Sequence, residues 1–147
     1  MDLSTFYIGV SSTKLADANN SNGMRDAALN AWTHLSQYTL VFLMICVAFG
    51  IGLAVYYYTG YNNQPKRHYL PKKWLFVGLK TVGLVFILTI ALAIAFQRPD
   101  NIEGLLMMEI QIAFDNLLYA AGLYFFVSVI WCNFPQLPTN AYRYFKI

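Results

Sequence analysis

Three long apolar stretches constrain the fold of this chain more than any other feature. The first, TLVFLMICVAFGIGLAVYYY at residues 39–58, runs without a charged side chain. Twenty helical residues with a rise of about 1.5 Å each are about 30 Å long, which matches the hydrocarbon core of a bilayer. The second stretch covers residues 74–96, with Lys80 as its only charge, and the third covers residues 117–134. The sequence therefore predicts three transmembrane helices.

Composition favours a membrane protein over a soluble helical bundle. Hydrophobic residues make up 58% of the chain and charged residues 12%, the latter about half the usual share. A soluble bundle would need polar faces to cover three unbroken apolar helices, and the chain has too few. Gly60, Pro99 and Pro135 follow the three stretches, where helices commonly end. We predict an all-α integral membrane protein with three transmembrane helices, two of them extended outside the bilayer as amphipathic helices.

The predicted organisation has seven segments. They are an external N-terminal segment at 1–38 with an amphipathic helix from about residue 24, the first span at 39–59, a basic inner loop at 60–73, the second span at 74–96, an acidic and partly helical outer segment at 97–116, the third span at 117–134, and an inner tail at 135–147.

Charges in the loops predict the orientation. The first loop carries Lys66, Arg67, Lys72 and Lys73 and no acid, whereas residues 97–116 carry Arg98 and four acids. Short basic loops stay on the cytoplasmic or matrix side. The sequence thus predicts an outer N-terminus and an inner C-terminus, in a bacterial cytoplasmic or mitochondrial inner membrane. Aromatic residues near the span ends are expected to mark the interfaces. These are Tyr56, Tyr57, Tyr58, Tyr61, Tyr69, Trp74 and Trp131 inside, and Trp32 and Tyr38 outside.

The segments outside the predicted spans combine a polar loop with two further helices. Residues 1–23 are rich in Ser, Thr and Asn and predict a loop with too few apolar residues to form a core. From Met24 to Leu35, apolar residues recur at helical spacing, so we expect a helix that lies against lipid headgroups or a neighbouring subunit. Asp100 or Asn101 is the predicted N-cap of a helix before the third span. Whether that helix bends near residues 115–116 is left open.

Seven charged residues are candidates for contacts with lipid or with a partner. These are Lys66, Arg67, Lys72, Lys73, Lys80, Arg98 and Asp115. Lys80 lies within the second span, and its long side chain can extend to the inner interface or pair with a partner's acid or an anionic lipid. Asp115 can pair with Arg98 or lie on an interfacial helix face, which costs less than a position at mid-membrane.

Small residues in the first span predict close helix packing. Ala48 and Gly52 form one small-xxx-small pair, and Gly50 and Ala54 form another. Gly78, Gly83 and residues 120–122 are possible complements in the other spans. Cys46 and Cys132 lie near opposite ends of their spans, so we expect no disulfide between them.

No catalytic signature is found in the sequence. It contains no phosphate-binding glycine loop, nucleophile elbow or metal-ligand motif. His34 and His68 are predicted at opposite membrane faces, so they cannot ligate one haem together. The basic loop is too short to indicate nucleic-acid binding. We predict no enzyme activity, no cofactor, no metal and no small-molecule substrate.

Three hypotheses for function remain open. The first is a non-catalytic accessory or scaffold subunit of a large membrane complex, with an energy-converting complex of respiratory-chain or ATP synthase type as the first candidate. Its partners would be other membrane subunits and anionic phospholipid at the basic loop. The second is a small homo-oligomeric pore, since the topology resembles that of three-span holins. The third is a membrane anchor for a quinone or haem site, which in size and span count is similar to the small anchors of succinate dehydrogenase.

Overall fold

The computed structural model describes residues 3–61, 71–95, 101–134 and 145. Its described residues form helices and connecting turns, with no strand among them. The helices are α1 (Leu3–Phe6), α2 (Ser12–Ala18), α3 (Arg25–Gln37), α4 (Thr39–Tyr56), a π-helical turn (Tyr57–Tyr61), α5 (Pro71–Ala95) and α6 (Leu105–Asn133).

Three helical stretches are long and apolar enough to cross a membrane. They are Arg25–Tyr61, Lys72–Ala95 and Leu105–Asn133, of 37, 24 and 29 residues. A span needs about 20 residues. The all-helical fold and the three helices of spanning length confirm the sequence prediction at this level.

The predicted amphipathic helix before the first span is present as α3. It is separated from α4 by Tyr38 alone, whose backbone N–H donates to the carbonyl of Leu35. The Thr39 hydroxyl donates to the carbonyl of Ser36 at 2.8 Å and satisfies one acceptor at this junction. Helix α3 therefore leads almost directly into α4.

The helix before the third span begins later than predicted. Asn101 has φ 71° and Gly104 has φ 79°, both in the left-handed region, so the chain turns there and α6 begins at Leu105. Asn and Gly are the residues that adopt this conformation most readily. Asn101 is thus part of a turn and not the N-cap. From Leu105, α6 continues without interruption through residues 115–116.

The chain forms two compact units, each with its own core. Unit 1 comprises Met1–Ile45 and Phe86–Asn116, and unit 2 comprises Cys46–Val85 and Leu117–Ile147. All seven acidic side chains belong to unit 1, whereas seven of the ten lysines and arginines belong to unit 2.

The core of unit 1 corrects the prediction that residues 1–23 are a loop without a core. Leu3, Tyr7, Val10 and Leu15 are buried in this segment. They pack in one cluster with the apolar face of α3 and the first turns of α6. The prediction was wrong because it counted apolar residues within the segment alone, while the core is shared with residues from distant parts of the chain. Helix α3 consequently lies against this chain's own core.

The core of unit 2 is aromatic. Tyr57 and Tyr58 are fully buried, and their rings meet edge to face at 5.1 Å. Tyr58 stacks on Trp131 at 5.8 Å, and Tyr57 stacks on Tyr61 at 5.9 Å. Tyr57 and Tyr58 are therefore packing residues, and of the three consecutive tyrosines Tyr56 is the exposed one. Edge-to-face and stacked ring pairs add stability beyond their buried area.

The long helices carry their apolar side chains outward and several polar side chains inward. The exposed large apolar residues are Leu40, Met44, Val47 and Ile51 on α4, Leu75, Phe76, Leu79, Leu84, Ile87 and Ile94 on α5, and Leu106, Met107, Ile110, Phe114, Leu118, Phe125 and Phe126 on α6. Thr81, Thr89, Asn116 and Ser128 are fully buried. The hydroxyls of Thr81 and Ser128 donate to backbone carbonyls one turn earlier, which satisfies them without water.

Candidate functional site

The first candidate is an exposed basic face at the start of α5, formed by Lys73, Phe76 and Lys80. Residues 73 and 80 are seven positions apart, which places them within about 20° of each other around the helix. Both lysines are exposed, as is Lys72 on the neighbouring face. The other predicted basic contacts, Lys66, Arg67 and Arg98, lie outside the described residues.

Lys80 extends towards the beginning of its helix. Its Nζ lies 4.5 Å from the centroid of the Phe76 ring, one turn earlier in α5. This is the direction in which helical side chains generally lean. The ring face attracts the ammonium group through a cation–π interaction. The Lys80 side chain therefore extends towards the end of α5 that carries Lys72 and Lys73, and its contact with lipid or with a partner stays a prediction.

Asp115 fixes the N-terminal segment to α6. Its Oδ2 accepts a hydrogen bond from the backbone N–H of Ile8 at 2.8 Å, across 107 positions of sequence. Its Oδ1 accepts from the Gln111 side-chain amide at 3.2 Å. The residue is only 3% exposed, so it lies inside unit 1 and not on the interfacial helix face expected from the sequence. A hydrogen bond to a carboxylate is worth about 1.5–3 kcal/mol.

Asn19 forms the second attachment within unit 1. Its Nδ2 donates to the carbonyls of Leu15 at 2.8 Å and Glu103 at 3.0 Å. Its Oδ1 accepts from the backbone N–H of Glu103 at 2.9 Å. One fully buried amide therefore ends α2 and also pairs with both backbone groups of Glu103 in the turn before α6.

A further buried polar contact lies on α6 of unit 1. Asn116 donates to the Thr89 hydroxyl of α5 at 3.0 Å, and both side chains are fully buried. Glu109, seven positions earlier and thus on the same face of α6, is only 1% exposed. Glu109 is one of the four acids in the predicted outer segment at 97–116, and no sequence pattern there indicates its burial.

The small residues of α4 divide into a packed pair and an exposed pair. Gly50 and Ala54 are buried, and a Cβ atom on Gly50 would lie 3.1 Å from the carbonyl oxygen of Ala120 in α6. Ala48 and Gly52 are exposed, and a Cβ on Gly52 would have no atom within 4 Å. Gly50 therefore lies where α4 and α6 approach closely. A role of the Ala48 pair in contact with another helix stays a prediction.

Trp74 joins α5 to α6 within unit 2. Its indole N–H donates to the Ser128 hydroxyl at 2.9 Å, and its backbone carbonyl accepts from the Tyr124 hydroxyl at 3.0 Å. The Trp74 and Tyr124 rings are 5.3 Å apart. The glycine at position 78 makes room for the Tyr124 ring, which lies 3.1 Å from where a Cβ would be. These contacts fix one register between the two helices.

A cavity of about 250 Å³ lies within unit 1 beside α2 and the start of α6. Its lining combines apolar and polar side chains, including Val10, Lys14, Leu15, Glu103, Met107 and Gln111. The polar side chains Lys14, Glu103 and Gln111 differ in charge and do not together indicate one class of ligand. We assign it no ligand.

The described residues contain no group of three or more His, Cys, Asp or Glu side chains that could hold a metal ion. Cys46 and Cys132 are both buried and free of a disulfide. The hydrogen bonds of Asn19, Asp115 and Trp74 connect segments within each unit. The residues that attach the N-terminal segment, Asn19 and Asp115, were missed as structural groups because their partners are distant backbone atoms. No local sequence pattern reveals such partners.

Comparison of the chain with protein-family models, with curated proteins and with solved structures gave no match.

Proposed function

We propose that this chain is an integral membrane protein whose α4, α5 and α6 cross the bilayer. The observation that carries the proposal is the outward placement of large apolar side chains along all three helices, such as Ile87, which is 66% exposed. Large contiguous apolar surfaces are rare on soluble monomers. Buried hydroxyls that donate to their own helix backbone are also what a lipid environment requires.

The proposed orientation places the basic end of α5 inside. Lys72 and Lys73 begin that helix, and all the acidic side chains belong to the other unit. An excess of basic residues in a short loop is the established signal for the inner side.

Single cysteines introduced at Ser12, Asn63 and Thr139 would test insertion and orientation. We expect a membrane-impermeant thiol reagent to label Ser12→Cys in intact cells or mitoplasts, and to label Asn63→Cys and Thr139→Cys after permeabilisation only. The buried native thiols serve as the unlabelled control. Labelling of Asn63→Cys from outside would reverse the orientation, and release of the chain by alkaline extraction would refute insertion.

We further propose that the chain is a non-catalytic accessory or scaffold subunit of a larger membrane complex, with an energy-converting complex as the first candidate. Two observations support this function. The polar groups Asn19, Asp115 and Ser128 are engaged in the chain's own packing. In addition, Ile8 on the attached N-terminal segment is 74% exposed and offers an apolar contact to another subunit.

Extraction from the native membrane in a gentle detergent, followed by blue-native separation and mass spectrometry, would test this function. We expect the chain to migrate with several different proteins in a band of several hundred kilodaltons or more. A matched extraction in a harsh detergent should release the chain as a smaller species. A ladder that contains this chain alone would contradict the subunit function and favour a homo-oligomer.

The structure offers less support for a pore. Between Leu40 and Tyr56, the exposed side chains of α4 are apolar apart from the final tyrosine. On α5, Lys80 is the one exposed charged side chain beyond the first turn of the described helix. A water-filled lumen requires a polar stripe, and neither helix presents one.

A further inference from the structure

We propose that Lys73 and Lys80 together bind the phosphate of an anionic phospholipid headgroup. This inference rests on the proposed insertion of α5 into a membrane, and it names the ligand of the basic face described above. The ligand class is a phospholipid with net negative charge, held at its phosphodiester.

The two ammonium groups can reach one phosphate. The Cα atoms of residues 73 and 80 are about 10 Å apart along the helix axis and lie on nearly the same face. The Lys80 Nζ lies over the Phe76 ring, 4.5 Å from the centroid, which places it about one turn towards the Cα atom of Lys73. A phosphate has several acceptor oxygens and forms strong hydrogen bonds with two charged donors at once. Phe76 is therefore a positioning residue for Lys80.

The lysines have no acidic side chain in their own unit to neutralise them. Residues 46–85 and 117–147, which form unit 2, contain no Asp or Glu, and α5 itself contains none. Lys73 and Lys80 are both exposed. No acidic side chain of unit 2 can therefore neutralise them, and in a membrane the nearest abundant anions at this depth are lipid phosphates.

The surface next to the lysines suits acyl chains. Two leucines of α5 are exposed here: Leu79, next to Lys80, by 60%, and Leu84, one turn beyond Lys80, by 42%. Between them, Gly83 leaves open space, with no atom within 4 Å of where a Cβ would be. Basic groups at one end and an apolar surface with a recess beyond them match the polarity of a phospholipid. An acidic protein segment would find the same cations but would not need this apolar surface.

Native mass spectrometry of the full-length chain in detergent would test the site. Phosphatidylglycerol and phosphatidylcholine with identical acyl chains would be titrated in parallel, and the bound fraction of each measured. We expect the wild-type chain to retain the anionic lipid preferentially. Lys73→Gln and Lys80→Gln should each reduce that preference about fivefold, from the usual contribution of one basic residue near an anionic surface. Phe76→Leu should produce a smaller loss, and Lys80→Arg should retain the preference.

Lys14→Gln is the matched control because Lys14 is also an exposed lysine, but lies on α2 in unit 1. It should leave the preference unchanged. Equal retention of both lipids by the wild type would overturn the proposal, as would a preference that survives the Lys73→Gln, Lys80→Gln double substitution. So would an equal loss in Lys14→Gln. Alkaline extraction of the same variants separates the two proposals: a chain that stays in the membrane without lipid preference refutes the site alone, whereas a released chain refutes insertion.

Discussion

Replacement of Gly50 by valine is expected to destabilise the helix pair α4–α6 strongly. A Cβ at this position would lie 3.0 Å from the Leu123 Cβ and 3.1 Å from the Ala120 carbonyl oxygen. The second atom belongs to helix backbone and cannot move aside, so the helices must separate. Overpacking of this kind costs about 1–3 kcal/mol. For a chain of this size, the midpoint of thermal unfolding in detergent should fall by about 3–10 °C.

Gly52→Val is the matched control for this substitution. It makes the same chemical change in the same helix, two positions later, where a Cβ would have no atom within 4 Å. Any general effect of a β-branched residue on helix propensity is therefore common to both variants. Equal changes in the unfolding midpoint would show that Gly50 does not form a close helix contact. A large loss of complex assembly in Gly52→Val, with stability unchanged, would instead identify the exposed pair as a contact with another subunit.

The long helices could be predicted from the sequence because their signal is local. Each apolar stretch is long enough to predict a helix of membrane-spanning length without information from the rest of the chain. In α3, apolar residues recur at helical spacing from Met24 to Leu35. Residues 120–122 are one of several complements that the sequence offers to the small residues of the first span, and Gly50 lies close to Ala120.

The interior of unit 1 could not be predicted in the same way. Leu3, Tyr7 and Leu15 appear isolated in a polar segment, and they are buried because α3 and α6 supply the rest of the core. The sequence predicts Asp115 as a carboxylate at the membrane boundary, whereas in the structure it accepts a hydrogen bond from the backbone N–H of Ile8, 107 positions away. Such contacts depend on chain reversal, and a single sequence without its fold contains no periodic signal for them. Tyr57 and Tyr58 are buried within a π-helical turn, which no apolar pattern indicates.

Replacement of Asn19 by alanine is expected to release α2 from the turn before α6. The change removes four hydrogen bonds: two donated to the carbonyls of Leu15 and Glu103, and two accepted from the N–H of Glu103 and the side-chain amide of Asn22. At about 1 kcal/mol each, their loss should lower the free energy of local opening by about 2–4 kcal/mol. Helix α2 has 7 residues, too few to persist without its contacts. Hydrogen exchange measured by mass spectrometry should therefore accelerate at least about tenfold in residues 12–18.

Asn20→Ala provides the control, because Asn20 is the adjacent asparagine but is exposed. It should leave exchange in α2 almost unchanged. Asn19→Asp separates the role of the donors from that of side-chain volume, since it keeps the shape and replaces the amide NH2 by an oxygen that faces two carbonyls. That variant should open α2 at least as far as Asn19→Ala does. If Asn19→Asp retained wild-type protection, apolar packing by Leu15 and its neighbours, rather than the buried amide, would hold the N-terminal segment in place.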